Sequence, residues 1–195
     1  FQMDVALMKL AMAGFGNRLD AVEATQWNAE TPSADWDVRA LVNHVVAELL
    51  WVPPLLDGKT TAEIGDQFDG DVLGGDPRAV WASAMAEALA AASRPGAQDR
   101  TTHLSFGDFP GSEYLGQVTS DVIIHSWDLA RAIGADDRFD AGLTDFVDGF
   151  LSPQVEAWRA AGAFGPATEV GLDASVQDRL LAKTGRSPSW RPKRA

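Results

Sequence analysis

Apolar residues return every three or four positions along four separate stretches of this chain, and that rhythm admits little but packed helices. Val5, Met8, Met12, Phe15, Leu19 and Val22 form the first stripe. Val38, Leu41, Val42, Val45, Leu49 and Val52 form the second, with Asp37 as an N-cap before it and Pro53-Pro54 straining or ending it. Val80, Trp81, Ala84, Met85, Ala88 and Leu89 form the third, opened by Asp76-Pro77 and stopped by Arg94-Pro95-Gly96. Val118, Val122, His125, Leu129 and Ala132 mark the fourth, which runs from about Ser112 to Ile133 and closes at Gly134. A striped helix is stable only when another element covers its stripe. Four of them predict an all-α four-helix bundle, packed near-antiparallel, with Met12, Val45, Met85 and Val122 inside.

The remaining segments read as connections and additions. Residues 28–36 form a loop, and residues 57–76, rich in Gly, Asp and Thr, a long irregular excursion. Its acids Asp66, Asp69, Asp71 and Asp76 lack the closing Glu of a calcium loop. Residues 101–109 alternate loosely and predict a short extended segment or hairpin. A helix between Gly142 and Ala161, broken at Ser152-Pro153, and a short one over residues 174–183 complete the pattern. We expect residues 3–165 to form the bundle domain with its extra helix. Residues 166–195 are expected to be a C-terminal appendage packed on the same domain, being too few to fold alone. Phe1-Gln2 before Met3 reads as the remnant of a cleavable tag and is left out of fold reasoning.

Charge narrows the function. Asp and Glu number 28 against 16 Lys and Arg, a net charge of −12, which argues against nucleic acid and against an anionic membrane surface as partner. No run of about 20 apolar residues and no leader pattern is visible, so a cytoplasmic location is expected. The chain has no Cys, which excludes disulfides, thiolate metal sites and a cysteine nucleophile. Thiol chemistry here needs a thiol from outside.

Two of the three histidines sit on predicted helices. Asp121 lies one turn before His125, so both project from one face of the fourth helix. A carboxylate beside a core-facing stripe needs a partner. That partner is either the histidine alone or a divalent metal shared by both. His44, bordering the stripe of the second helix, supplies a third ligand in the metal case. Two imidazoles and one carboxylate leave coordination positions open, as catalytic sites do. Asp128 reads equally as a fourth ligand, as a partner of His125, or as a surface pair with Arg131. Glu48 is either a general base or, the reading the pattern favours, a solvated helix residue. His103 reads as exposed. Trp51 and Trp127 read as core, with the pocket wall as the alternative. Arg39 and Arg131 read as surface pairs rather than anion binders.

The segment Trp36-Asp37-Val38-Arg39-Ala40-Leu41-Val42-Asn43-His44-Val45 resembles the second-helix signature of the DinB-like superfamily. More closely, it looks like the mycothiol-dependent maleylpyruvate isomerase N-terminal domain group of actinobacteria. Asp121-Val122-Ile123-Ile124-His125-Ser126-Trp127-Asp128-Leu129-Ala130-Arg131-Ala132 resembles that group's carboxylate-x-x-x-His-Gly-Trp-Asp-Leu-Ala-Arg helix. Residues 173–181 with Gly185-Arg186 resemble the end of a short actinobacterial subgroup. The resemblance implies an up-and-down DinB-like four-helix bundle with a C-terminal helical extension. It implies a divalent metal, usually zinc, on His44, Asp121 and His125, and a low-molecular-weight thiol, mycothiol in this lineage, as co-substrate. This chain departs from the isomerase in having Asp121 where the group has Glu and Ser126 where it has Gly. It also lacks room for the isomerase's longer C-terminal domain.

The leading expectation is thiol transfer or thiol-assisted isomerisation of a small electrophile by a metal-dependent enzyme. A metal-dependent hydrolase of a small amide or ester, and a non-enzymatic metal- or small-molecule-binding bundle, are the alternatives. Activity without added thiol marks the first alternative, and a site closed by protein ligands marks the second.

Overall fold

A computed structural model describes residues 1–193; the last two residues of the appendage expected over 166–195 lie outside the described residues. The elements are α1 (Val5–Asp20), α2 (Val38–Leu56), α3 (Thr61–Ile64), α4 (Pro77–Ala92), a 3-10 turn (Ala97–Asp99), β1 (Thr101–Leu104), β2 (Gly107–Pro110), α5 (Gly111–Ile133), α6 (Ala141–Leu151), α7 (Val155–Ala160) and α8 (Val176–Lys183). The strands form one antiparallel hairpin, the only sheet among the described residues. No helix among them is long and apolar enough to cross a membrane.

Local chemistry sets the helix ends. Asp4, Asp37, Asp76, Asp140 and Ser175 each accept a hydrogen bond from a backbone N–H of the first turn that follows. Pro77 follows Asp76 at the start of α4. Gly134 ends α5 in the left-handed conformation at φ 74°. Pro53 and Pro54 do not end α2, which continues to Leu56. Their missing N–H groups fall within its last turn, and their carbonyls still accept from Asp57 and Lys59. The excursion holds a single turn of helix, α3, tied by a Thr60–Glu63 capping box.

α1, α2, α4 and α5 form the bundle in the ring order α1–α5–α2–α4. The all-α bundle is as expected, but its helices do not alternate direction. Arg94, just past the end of α4, pairs with Asp57 at the end of α2 at 2.8 Å, so these two run parallel. Arg78 at the start of α4 donates to the Leu19 and Val22 carbonyls at the end of α1, so those two run antiparallel. Gly111 at the start of α5 lies against Leu56 at the end of α2, so α2 and α5 are antiparallel. The excursion over 57–76 carries the chain back along the bundle before α4 starts. Its reach, about 3.3 Å per residue, far exceeds a helix of about 24 Å.

Met12, Val45 and Val122 are fully buried, as expected. Met85 is only half-buried, because α4 turns its small Ala84, Ala88 and Ala91 inward and leaves Met85 at the rim. Val22 lies beyond the end of α1 yet is still buried. α5 is the central element. Of its 23 residues 18 are buried, far more than one stripe requires, so partners cover it on several sides. α1 and α2 pack on it within the bundle, and α6 and the hairpin add further cover.

Candidate metal centre

His44 sits two turns into α2, and Asp121 and His125 sit one turn apart on α5. Because these helices are antiparallel, the three meet at one depth. His44 Nε2 lies 3.0 Å from Asp121 Oδ2, and His125 Nε2 lies 3.3 Å from Asp121 Oδ1. One donor atom from each lies within 4.8 Å of the other two, and among the described residues this is the one such group of His, Asp and Glu. Four ligands at about 2.1 Å in a tetrahedron stand about 3.4 Å apart. The two Asp121 contacts, one at each carboxylate oxygen, are close to that, and one donor atom of each residue lies within 4.8 Å of the others. The chemistry of the donor set suits a zinc-like ion, Asp121 included despite its shorter side chain.

The site is open on one side. The side chains of His44 and Asp121 are 27% and 36% exposed, whereas that of His125 is 8% exposed. Trp36, in the loop before α2, lays its ring 4.5 Å from His44 and 5.5 Å from His125 by centroids. It forms an apolar wall over both imidazoles.

Electrostatics bind the cluster. Burial opposes the charge of Asp121, but both histidines hold its carboxyl well below the usual carboxylate range by charge and hydrogen bond. Burial alone lowers His125, yet the Asp121 charge and the hydrogen bonds its ring donates to Asp121 and Asp128 push it up to about 9. Glu48, one turn after His44, is half-buried and not the solvated residue the pattern favours. Burial first, and then the Asp121 charge, raise its carboxyl, while His44 and His125 pull it down. It thus belongs electrically to the cluster and holds a proton more readily than an ordinary carboxyl.

Asp128 is fully buried, and it neither joins the donor cluster nor pairs with Arg131. It accepts from His125 Nδ1 at 2.9 Å, the partner role weighed from sequence. It also accepts from Ser33 Oγ at 3.1 Å and from the Arg186 fork at 3.0 and 2.8 Å. Arg131 instead pairs with Asp137 at 2.6 Å and lies over the Trp127 ring. Arg39 is a surface pair, held by Asp71 and the Gly74 carbonyl. Trp127 is fully buried core, and half-buried Trp51 packs on Phe68 rather than on the histidines. His103 pairs with Asp108 in the hairpin.

Sequence reasoning missed Trp36, Ser33 and Arg186 as parts of the site. Trp36 stood inside the quoted signature, immediately before the cap. Arg186 stands in the quoted tail signature, but nothing local marks its partner, 58 residues away.

The comparisons give the family and the fold. A sequence profile of the mycothiol maleylpyruvate isomerase N-terminal domain matches residues 9–130, a span that holds all three donor residues. Two uncharacterized proteins from two strains of Mycobacterium tuberculosis are each 34% identical over 136 residues, which is 68% of this chain and 69% of theirs. A crystal structure of the mycothiol-dependent maleylpyruvate isomerase superposes with a TM-score of 0.69 at 17% identity, over 95% of this chain and 89% of that one. A histidine-to-alanine mutant of that isomerase superposes with a TM-score of 0.64, also at 17% identity, over 84% and 72%. These two similarities establish the shared fold.

Proposed function

The chain belongs to the mycothiol maleylpyruvate isomerase N-terminal domain family, and on that premise we propose that it is a metal-dependent enzyme of thiol transfer or thiol-assisted isomerisation. Its substrates are a low-molecular-weight thiol of the mycothiol kind and a small electrophile. The observation that carries this reading is the convergence of His44, Asp121 and His125 at a half-open face. These three residues would hold a divalent cation, zinc foremost, which when bound supplies Lewis acidity that favours a thiolate at neutral pH.

The chain's own residues do the rest. Asp128 orients His125 so that Nε2 faces the donor cluster. Trp36 shields both imidazoles and offers an apolar surface to substrate. Glu48, with its raised carboxyl, holds a proton at the rim of the cluster, where a thiol sheds one and an isomerising carbon must regain one. The absence of Cys from the chain leaves the nucleophile to the added thiol. In this reading residues 3–165 are the catalytic bundle and the residues beyond are an appendage to it.

Metal analysis of purified protein, followed by titration with mycothiol or an analogue, tests the proposal. About one zinc per chain, and thiol binding that disappears with chelator, are expected. Protein without metal, or turnover of esters or amides with no thiol present, overturns it, the latter in favour of hydrolysis.

A further inference from the structure

The short path from the C-terminal appendage to the donor cluster is built from the end of α8. Gly185, at φ 82°, closes α8 in a left-handed turn: its N–H donates to the Ala182 carbonyl and the Arg186 N–H donates to the Leu181 carbonyl, both at 3.0 Å. A Cβ at Gly185 would also stand 3.2 Å from the backbone of Gly165. Glycine is therefore required there for its conformation and for the close approach. The turn sends Arg186 back toward α5. Arg186 Nη1 donates to the Thr184 carbonyl, and its own carbonyl accepts from Thr168 Oγ1. The side chain is thus braced on the protein side and has one partner for its fork.

That partner is Asp128. Arg186 Nε donates to Oδ1 at 3.0 Å and Nη2 to Oδ2 at 2.8 Å, a bidentate pair buried to 12% and 0% side-chain exposure. Ser33 Oγ, from the loop that carries Trp36, adds a third contact at 3.1 Å. A carboxylate gripped this way cannot rotate. Its Oδ2 stands 2.9 Å from His125 Nδ1 and accepts the ring's N–H. A neutral imidazole that donates from Nδ1 presents Nε2, the atom facing Asp121, as its lone pair.

We propose that Arg186 is a positioning residue of the metal centre: it anchors Asp128, which fixes the ring and tautomer of His125. The consequence for metal rests on the function proposed above, but the effect on the ring does not. Arg186 lies beyond residues 9–130, the span that matches the family profile. The appendage thereby takes part in the site. A carboxylate that orients a ligating histidine is worth about 10- to 100-fold in metal affinity. Arg186 acts through that carboxylate, so its loss should cost a similar factor.

The test uses the full chain and Arg186→Met, Asp128→Asn and the double variant. Zinc affinity is measured by competition with a chromophoric chelator. The histidine side-chain 15N–1H spectrum is recorded on the metal-free and zinc-loaded proteins. Each single change should weaken zinc about 10- to 100-fold, and the double variant should be no weaker than Asp128→Asn. The wild type should show a slowly exchanging His125 Nδ1–H that Arg186→Met loses. Additive losses, unchanged affinity, or an unaltered Nδ1–H signal would overturn the proposal. If wild type binds no zinc while the Nδ1–H signal still depends on Arg186, the metal reading falls and the anchoring stands. Should Arg186→Met fail to fold, Arg186→Lys keeps the charge without the fork, and it should show a smaller loss in both readouts. An Arg186→Lys variant indistinguishable from wild type in both counts against the proposal.

Discussion

His125 carries a proton in the metal-free protein at neutral pH, since Asp121 and Asp128 outweigh burial and lift it to about 9. A metal held as proposed by His125 would have to expel that proton. From unperturbed imidazoles the sequence suggests competition centred on pH 6.5 and confined to about pH 5–7. The structure moves the window for His125 upward. Zinc affinity should keep rising from pH 7 to about 9, with about one proton released per zinc near pH 7–8, as read by titration calorimetry in buffers of different ionisation enthalpy. A plateau above pH 7 would contradict this. The same shift has a sign for stability. The folded value lies above the unfolded 6.5, so the contribution is complete below about pH 6.5 and is lost as pH rises through about 9; at most it is about 3 kcal/mol. Metal-free protein should therefore melt lower at pH 9 than at pH 6.5, and the zinc-induced rise in Tm should be larger at pH 9. His125→Ala should show little zinc-induced rise at either pH, and equal stabilisation of both proteins would refute a ligand role. Glu48→Gln removes the proton carrier but no donor of the cluster. It should retain zinc and lose about 10²- to 10⁴-fold in turnover.

At the scale of elements, two glycines in helices make opposite predictions. A Cβ at Gly111, the first residue of α5, would stand 2.4 Å from the Ala97 carbonyl oxygen, and backbone cannot yield as a flexible side chain does. Gly111→Ala should cost about 1–3 kcal/mol in urea unfolding by forcing α5 away from the 3-10 turn. Gly149, inside α6, has no heavy atom within 4 Å of such a Cβ. Gly149→Ala should instead stabilise by about 0.5–1 kcal/mol, because it removes freedom from the unfolded chain without strain in the folded one. Equal effects would mean that α5 is less tightly seated than its buried surface requires.

For the molecule as a whole, the question is whether the bundle stands without its C-terminal residues. Lys183 of α8 pairs with Asp148 of α6 at 2.8 Å, and Arg186 neutralises Asp128 in the interior. A chain ending at residue 165 strips the buried Asp128 carboxylate of the Arg186 fork and leaves it only His125 as a charged partner, a loss worth up to about 3–5 kcal/mol. The full chain should unfold in one transition, and the shortened chain should unfold at clearly lower denaturant if it folds at all. Coincident unfolding curves for the two would show that residues 3–165 are self-sufficient and that the appendage only decorates them.

The sequence alone determined most of the elements. Helical spacing marked α1, α2, α4 and α5, Asp76-Pro77 marked the start of α4, and Gly134 marked the end of α5, because caps and stripes act within a turn or two. The same local logic placed Asp121 and His125 on one face and His44 at the edge of another. Bundle reasoning offered His44 as a third candidate ligand, and the resemblance implied the same three residues. What periodicity does not carry is the identity of the neighbour. The parallel course of α2 and α4 follows from where a 20-residue excursion returns the chain. Asp128 had Arg131 within reach on its own helix, but burial favoured a bidentate partner from 58 residues away. Glu48 passes for a solvated residue on an isolated helix, and only the approach of α5 with Asp121 makes it part of a charged cluster. Trp36 stands over the histidines because its loop folds back and is tied through Ser33 to Asp128. Those outcomes depend on which surfaces exclude water together, and that is settled only when distant segments pack.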